Sequence, residues 1–225
     1  MVQTLYASKL NLYDVKTRFQ LQSADSEDFF SEWLQDLSEL SDREKHRLDE
    51  VKSHYVYLAE HAMLEAAVKM VVLSPLLELA GFYSPPFLMR IEESIQIEDE
   101  DEGEIVKGQI DILLVQDEFW IAVIEAKRVK FNVMEALPQV LTYMMAAPHP
   151  EKPVFGMISS GDHTLFVKVM RGDNPQYALS DSFFLFNRGN ALYDVLRILK
   201  RFGQMALINY ESYNSSYKPS YKFKV

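Results

Sequence analysis

Cysteine is absent from all 225 residues, which excludes disulfides and a thiolate-bound zinc site. The five histidines, His46, His54, His61, His149 and His163, never recur at His-x-x-x-His spacing, so a histidine zinc site has no support either. No apolar run approaches the roughly 20 residues that cross a bilayer. Met1-Val2-Gln3-Thr4 lacks the charged-then-apolar start of a secretory signal. A soluble cytoplasmic protein without a membrane partner is the expectation. There is no Gly-x-x-x-x-Gly-Lys-Ser/Thr and no Gly-x-Ser-x-Gly, which removes a P-loop motor and a serine-hydrolase elbow. Positive charge is also short: 23 lysines and arginines against 33 acids give a net charge of −10. That argues against a general nucleic-acid binder, although bound cations and local basic patches outweigh the sum at a site. Much of the imbalance lies in Glu98 to Glu104, where six of seven residues are acidic. So many like charges predict a solvated hairpin tip.

Apolar residues make up 48% of the chain, enough for one well-packed α/β domain with additions. The expected plan is an N-terminal extension at 1–41, a main domain at 42–207 and a mobile tail at 208–225. Residues 1–24 show no strong period, and a loosely attached segment is predicted around Leu10–Asp14. Phe29, Phe30, Trp33, Leu34 and Leu37 recur at helical spacing after a start at Ser26. Ser41-Asp42-Arg43-Glu44 is a capping box that opens a longer helix. Met63–Leu73 reads as a helix that Ser74-Pro75 stops and restarts, with Gly81 as the end of the second piece. Phe87–Ile97 is the first strand. Leu137–Ala147 is a helix with Pro138 in its first turn. Pro153–Ser160 is a buried strand reached by a crossover. Two strands, Thr164–Met170 and Tyr177–Phe186, precede a last helix at Ala191–Phe202, whose Arg197, Lys200 and Arg201 are expected to face out.

The organising stretch is Gly108–Val115 with Trp120–Lys127. Both runs are apolar and β-branched, and only Gln116-Asp117-Glu118 separates them, so they predict a hairpin. Asp111, Glu125 and Lys127 interrupt these runs. Burying a charge costs several kcal/mol unless it is paired or binds a metal. A turn centred on Glu118 sets Asp111 opposite Glu125, roughly 5 Å apart on one face, and Lys127 shares that face. Two such carboxylates can hold one Mg²⁺. A metal with an ammonium beside it suits phosphodiester hydrolysis. Arg128-Val129-Lys130 is the densest basic patch, and Arg128 and Lys130 are placed to hold a phosphate backbone.

Asp111, then Glu125-Ala126-Lys127, then Gln139-Val140-Leu141-Thr142-Tyr143 resembles the PD-(D/E)XK nuclease motif with the Gln-x-x-x-Tyr element of its RecB-like branch. The chain from about Leu12 to about Gln204 resembles the nuclease domain of type I restriction enzyme R subunits, as a short stand-alone protein. Ile110 stands where the family has proline. The resemblance implies a restriction-endonuclease-like α/β fold, an antiparallel meander plus a crossover strand flanked by helices, with added N-terminal helices. It implies a DNA endonuclease dependent on Mg²⁺, with Mn²⁺ able to substitute. Asp111, Glu125 and the Ala126 carbonyl would then bind metal, and Lys127 would stabilise charge or position water. Glu65 would support the metal shell from the helix before the sheet, a role that Glu60 and Glu78 match less well; an ordinary Glu65–Lys69 pair is the competing reading. Gln139 and Tyr143 would position DNA. A separate motor or specificity protein would be a partner, and a homo-oligomer stays open. Two alternatives stand: a binding or scaffold protein that keeps the fold without cutting, and an RNA- or structure-directed nuclease.

Overall fold

The computed structural model describes residues 3–61, 63–99, 104–117, 119–128 and 131–216, the side chains at 98, 99, 119 and 209–216 excepted. In chain order come β1 (Gln3–Tyr6), α1 (Leu12–Arg18), β2 (Gln22–Ser23) and α2 (Asp42–Ala59). Next, α3 (Glu65–Val68) runs through a π-helical turn at Lys69–Leu73 into α4 (Ser74–Leu79). Strands β3 (Leu88–Asp99), β4 (Glu104–Gln116) and β5 (Phe119–Ala126) precede α5 (Leu137–Met145) and β6 (Val154–Ser159). Strands β7 (His163–Met170), β8 (Gln176–Leu179) and β9 (Phe183–Phe184) lead to α6 (Leu192–Ser216).

The strands form one mixed sheet in the order β1-β4-β5-β6-β7-β8-β2, with β3 along β4 and β9 along β7. β3, β4 and β5 are an antiparallel meander, β5 and β6 are parallel across α5, and β6 and β7 are antiparallel. Every residue of β6 is buried, as a central strand covered on both faces requires. On one face, Leu48, Val51 and Tyr55 of α2 pack with Leu76 of α4, Phe202 of α6 and Ile124 of the sheet. On the other face, Val15 of α1 and Val140 and Met144 of α5 pack with Leu113, Val123 and Val167. This is the restriction-endonuclease-like architecture predicted above. Among the described residues no helix is long and apolar enough to cross a membrane.

Several local expectations fail for physical reasons. The segment around Leu10–Asp14 is tied down. Asn11 and Asp14 form a reciprocal cap on α1, Val15 is fully buried, and β1 adds to β4 in parallel register. Residues 29–37 form no helix beyond a 3₁₀ turn at Glu27–Phe30. The Lys168 ammonium takes the Phe29 carbonyl at 2.6 Å and Glu32 at 2.5 Å, and Asp36 has φ 55°, so the helical ladder cannot continue. Ser74-Pro75 does not break its helix. The π turn just before it supplies an extra residue, and Ser74 N–H bonds back to Lys69, which accommodates the proline. The predicted Tyr177–Phe186 strand splits because Ser180 turns its hydroxyl onto Phe166 N–H at 2.9 Å. Helix α6 does not stop near Phe202 but runs to Ser216. A Cβ at Gly203 would meet Phe82 and Phe87 at ordinary contact distance, so the glycine lies on the packed side of the helix, and Met205 and Ala206 continue that face. Residues 208–216 of the expected tail are therefore helical, and 217–225 lie outside the described residues.

Candidate active site

The β4–β5 ladder pairs Ile112 with Ile124, Leu113 with Val123 and Leu114 with Ala122. The turn itself pairs Gln116 with Phe119 and Val115 with Trp120, one residue off the register predicted from a centre at Glu118, and a bulge between Leu114 and Val115 restores it. One step beyond Ile112–Ile124 then sets Asp111 opposite Glu125. The ladder stops there because Asp111 intervenes with its side chain, and Oδ2 accepts the Ala126 N–H at 2.7 Å. The neighbouring β3–β4 ladder skips Glu92 and Asp111, and Glu92 has φ 54°. Ile110 packs in the core beside α5, whereas Ile112 packs in the opposite one. Strand β4 thus turns over across Asp111, a distortion of the kind that re-aims a side chain.

Glu125 is 3% exposed. Its Oε1 accepts the Lys127 ammonium at 2.6 Å and the Gln139 amide at 2.7 Å, whereas its buried Oε2 has no partner among the described residues. Gln139 and Tyr143 do share one face of α5. The Gln139 amide nitrogen also donates to Tyr143 Oη at 2.7 Å, and its carbonyl accepts Lys127 at 3.2 Å. Tyr143 Oη in turn accepts the Gln109 N–H at 3.3 Å. Lys127 lies 5.8 Å from the Phe131 ring centroid. Burial, then the charge of Asp111, pushes the Glu125 carboxyl up to about 7, against the pull of Lys127. Burial, then Glu125, pushes the Tyr143 hydroxyl up to about 12, so this phenol stays protonated at neutral pH.

Glu65 projects from α3 and is half-exposed. It reaches the acidic pair through Lys69, whose ammonium lies 3.2 Å from Glu65 and 2.6 Å from Asp111 Oδ1. The Glu65–Lys69 pair therefore exists, and it does more than brace a helix. Asp111, Glu125, Gln139 and Tyr143 line one open groove of about 730 Å³, with Tyr6 and Lys107 also on its wall. Arg128 is exposed at the end of β5; Lys130 lies outside the described residues.

Other charged residues go elsewhere. Arg197, Lys200 and Arg201 do not face free solvent. Lys200 pairs with Glu44 at 2.6 Å, Arg201 with Asp36 at 2.8 Å, and Arg197 binds the Ser38 carbonyl at 3.1 Å. Of the acidic run, Glu104 is part-buried against Arg18 rather than solvated, and residues 100–103 lie outside the described residues.

The donor set around Asp111 and Glu125 is all oxygen, the kind that Mg²⁺ and Mn²⁺ take. Among the described residues no three acidic or histidine side chains gather closely enough to hold a metal by themselves. Mg²⁺ is commonly held by one or two carboxylates, with waters completing its shell, so two carboxylates with an unpartnered buried oxygen fit it. Three residues of this constellation escaped the sequence reading: Lys69, Gly108 and Gln109. Gly108 has a signal, a lone glycine inside a β-branched strand, which marks a close approach. A Cβ there would sit 2.3 Å from the Tyr143 ring. No curated protein matches the chain. The family model of the type I restriction enzyme R protein N terminus matches residues 13–175, a span holding all of α1 but its first residue, both carboxylates, Lys127 and the Gln139–Tyr143 pair, and the chain belongs to that family.

Proposed function

We propose that this chain is a divalent-metal-dependent DNA endonuclease of the PD-(D/E)XK type, with Asp111, Glu125 and the Ala126 carbonyl as ligands for Mg²⁺ or Mn²⁺. The observation that supports it best is Glu125. A carboxylate buried beside a second carboxylate, with one oxygen bonded twice and the other left over, costs stability and gains meaning as a ligand. When bound, the cation polarises a phosphoryl oxygen and acidifies a water. The chain's own groups do the rest. Lys127 donates to Glu125 and Gln139, which leaves the third of its protons for developing negative charge. Gln139 fixes the Glu125 rotamer, and Tyr143 fixes Gln139 by lending it an acceptor. Glu65 supports the shell through Lys69, and Arg128 and Lys130 hold the backbone phosphates. Family membership supports DNA and companion subunits as partners; a separate motor or specificity protein among them, and a cytoplasmic place of work, are part of the proposal.

Plasmid nicking beside a gel shift, at fixed salt, tests this. The wild type is expected to nick in Mg²⁺ or Mn²⁺. Asp111→Asn should fall to background while its metal-free DNA affinity is unchanged or higher, since a negative charge near phosphate has gone. A wild type that binds DNA and nicks in neither ion overturns the reading. The Lys69–Asp111 ion pair favours that second outcome specifically, a binding module that keeps the fold with its acidic pair neutralised by lysines.

A further inference from the structure

Lys69 and Lys127 stand at the same distance from the acidic pair, yet they are held differently. Lys127 belongs to the network of Glu125 and Gln139 and lies near the Phe131 ring. Lys69 comes from another element, the start of the π turn, and its other partner is the half-exposed Glu65. Asp111 Oδ2 is committed to the Ala126 N–H, so Oδ1 is the oxygen with a removable partner, and Lys69 occupies it. A cation that takes Oδ1 displaces an ammonium that already has a second carboxylate 3.2 Å away.

Resting on the proposed metal site, we infer that Lys69 is a tethered counter-ion, which neutralises Asp111 in the metal-free protein and is handed to Glu65 when a divalent cation arrives. Two carboxylates and a nearby third acid repel one another without an ion, and Lys69 keeps them together. The same ammonium competes with the metal and sets its affinity. Glu65 then acts as the receiving partner of Lys69 rather than as a ligand, a role that sequence spacing alone does not reveal. A π turn is suited to this. It widens the helix by one residue just where Lys69 leaves it, and such turns recur at functional sites.

Mn²⁺ binding, followed by electron paramagnetic resonance of the free ion, tests the inference without any cleavage readout. Lys69→Met removes the competitor and should bind Mn²⁺ about tenfold more tightly, the scale of one lost ion pair. Lys69→Gln should shift the same way, and it serves where the methionine variant fails to fold. Lys69→Arg keeps the charge and should stay near wild type. Glu65→Gln should weaken Mn²⁺ binding in the wild type and have no effect in the Lys69→Met background, since the two act through one ammonium. If Glu65→Gln weakens binding equally in both backgrounds, Glu65 is itself a ligand and the hand-over is overturned. If binding depends on Asp111 but Lys69→Met is no tighter than wild type, this inference falls and the metal site stands. If neither protein shows Asp111-dependent binding, the metal site falls first and this inference with it.

Discussion

Glu44 and Glu125 each carry a lysine ammonium at 2.6 Å, and their protons go in opposite directions. Glu44 caps α2. Ser41 donates both its N–H and its hydroxyl at 2.7 Å, and Lys200 takes the other oxygen. Burial raises its pKa, but Lys200 and Ser41 outweigh that and hold it down at about 2. Glu125 has both its donors on one oxygen and another carboxylate as neighbour, and it is pushed up to about 7. The difference lies not in the lysine but in what surrounds the pair. In the α2–α6 clamp every charge has its own partner, and the arrangement is complete. At the β4–β5 hairpin, two carboxylates face two ammoniums across different elements, one oxygen is left unpartnered, and the arrangement is completed by something else.

After the loss of Asp111 itself, the largest effect should come from removing the hairpin's own ammonium. Lys127→Ala leaves Asp111, Glu125 and Gln139 in place, so Mn²⁺ should still bind. Plasmid cleavage should nevertheless fall by about 10²-fold or more, the usual scale for one preorganised charge-stabilising group. Unchanged cleavage would make Lys127 a structural partner like Lys200, and the contrast between the two regions would disappear.

The hairpin was legible because a strand has a strict period of two and the turn is short, but the pairing of Asp111 with Glu125 also needs the bulge between Leu114 and Val115, which no turn residue announces. The Gln139–Tyr143 pair was legible for the matching reason in a helix. Lys69 was hidden because Glu65–Lys69 at i,i+4 has an ordinary explanation, and no local rule reports that Asp111, 42 positions on, shares the ammonium. Residues 29–37 misled by a true helical period, overridden by a lysine from β7 that captures a backbone carbonyl. Spacing predicts that Arg197, Lys200 and Arg201 face out because most of their partners, at 36–44, lie on a segment distant in sequence, Asp194 beside Arg197 being the local exception.

A second way to sharpen the contrast is pH, in the metal-free protein. The ordinary carboxyl value is 4.5 for both groups. Glu44 is depressed when folded, so its contribution is present above 4.5 and is lost as pH falls toward 2. Glu125 is raised when folded. Between 4.5 and about 7 the folded chain keeps a proton that the unfolded chain has released, so this contribution is greatest below 4.5 and is lost as pH rises through 7. Melting temperature should therefore decline on both sides of a maximum near pH 5. Glu125→Gln should flatten the alkaline limb only, and Glu44→Gln the acid limb only. A Glu125→Gln protein with an unchanged alkaline limb would show that its carboxyl titrates normally.

The smallest effect belongs to the clamp. Lys200→Met removes the ammonium from Glu44 but leaves the two Ser41 donors, so the carboxylate stays capped. Part-exposed pairs of this kind contribute about 1 kcal/mol or less, which shifts melting by roughly 2–4 °C in a domain of this size. Mn²⁺ affinity and nicking should be unchanged, because among the described residues α6 shares no hydrogen bond with the β4–β5 carboxylates. The informative outcome is the reverse pattern. A Lys200→Met protein with unaltered stability and weakened DNA binding would show that Lys200 leaves Glu44 for phosphate when DNA is present. The clamp would then be no static staple but a counter-ion exchange like the one inferred for Lys69, and the contrast between the two regions would be one of ligand, DNA at one and a divalent cation at the other, rather than of chemistry against structure.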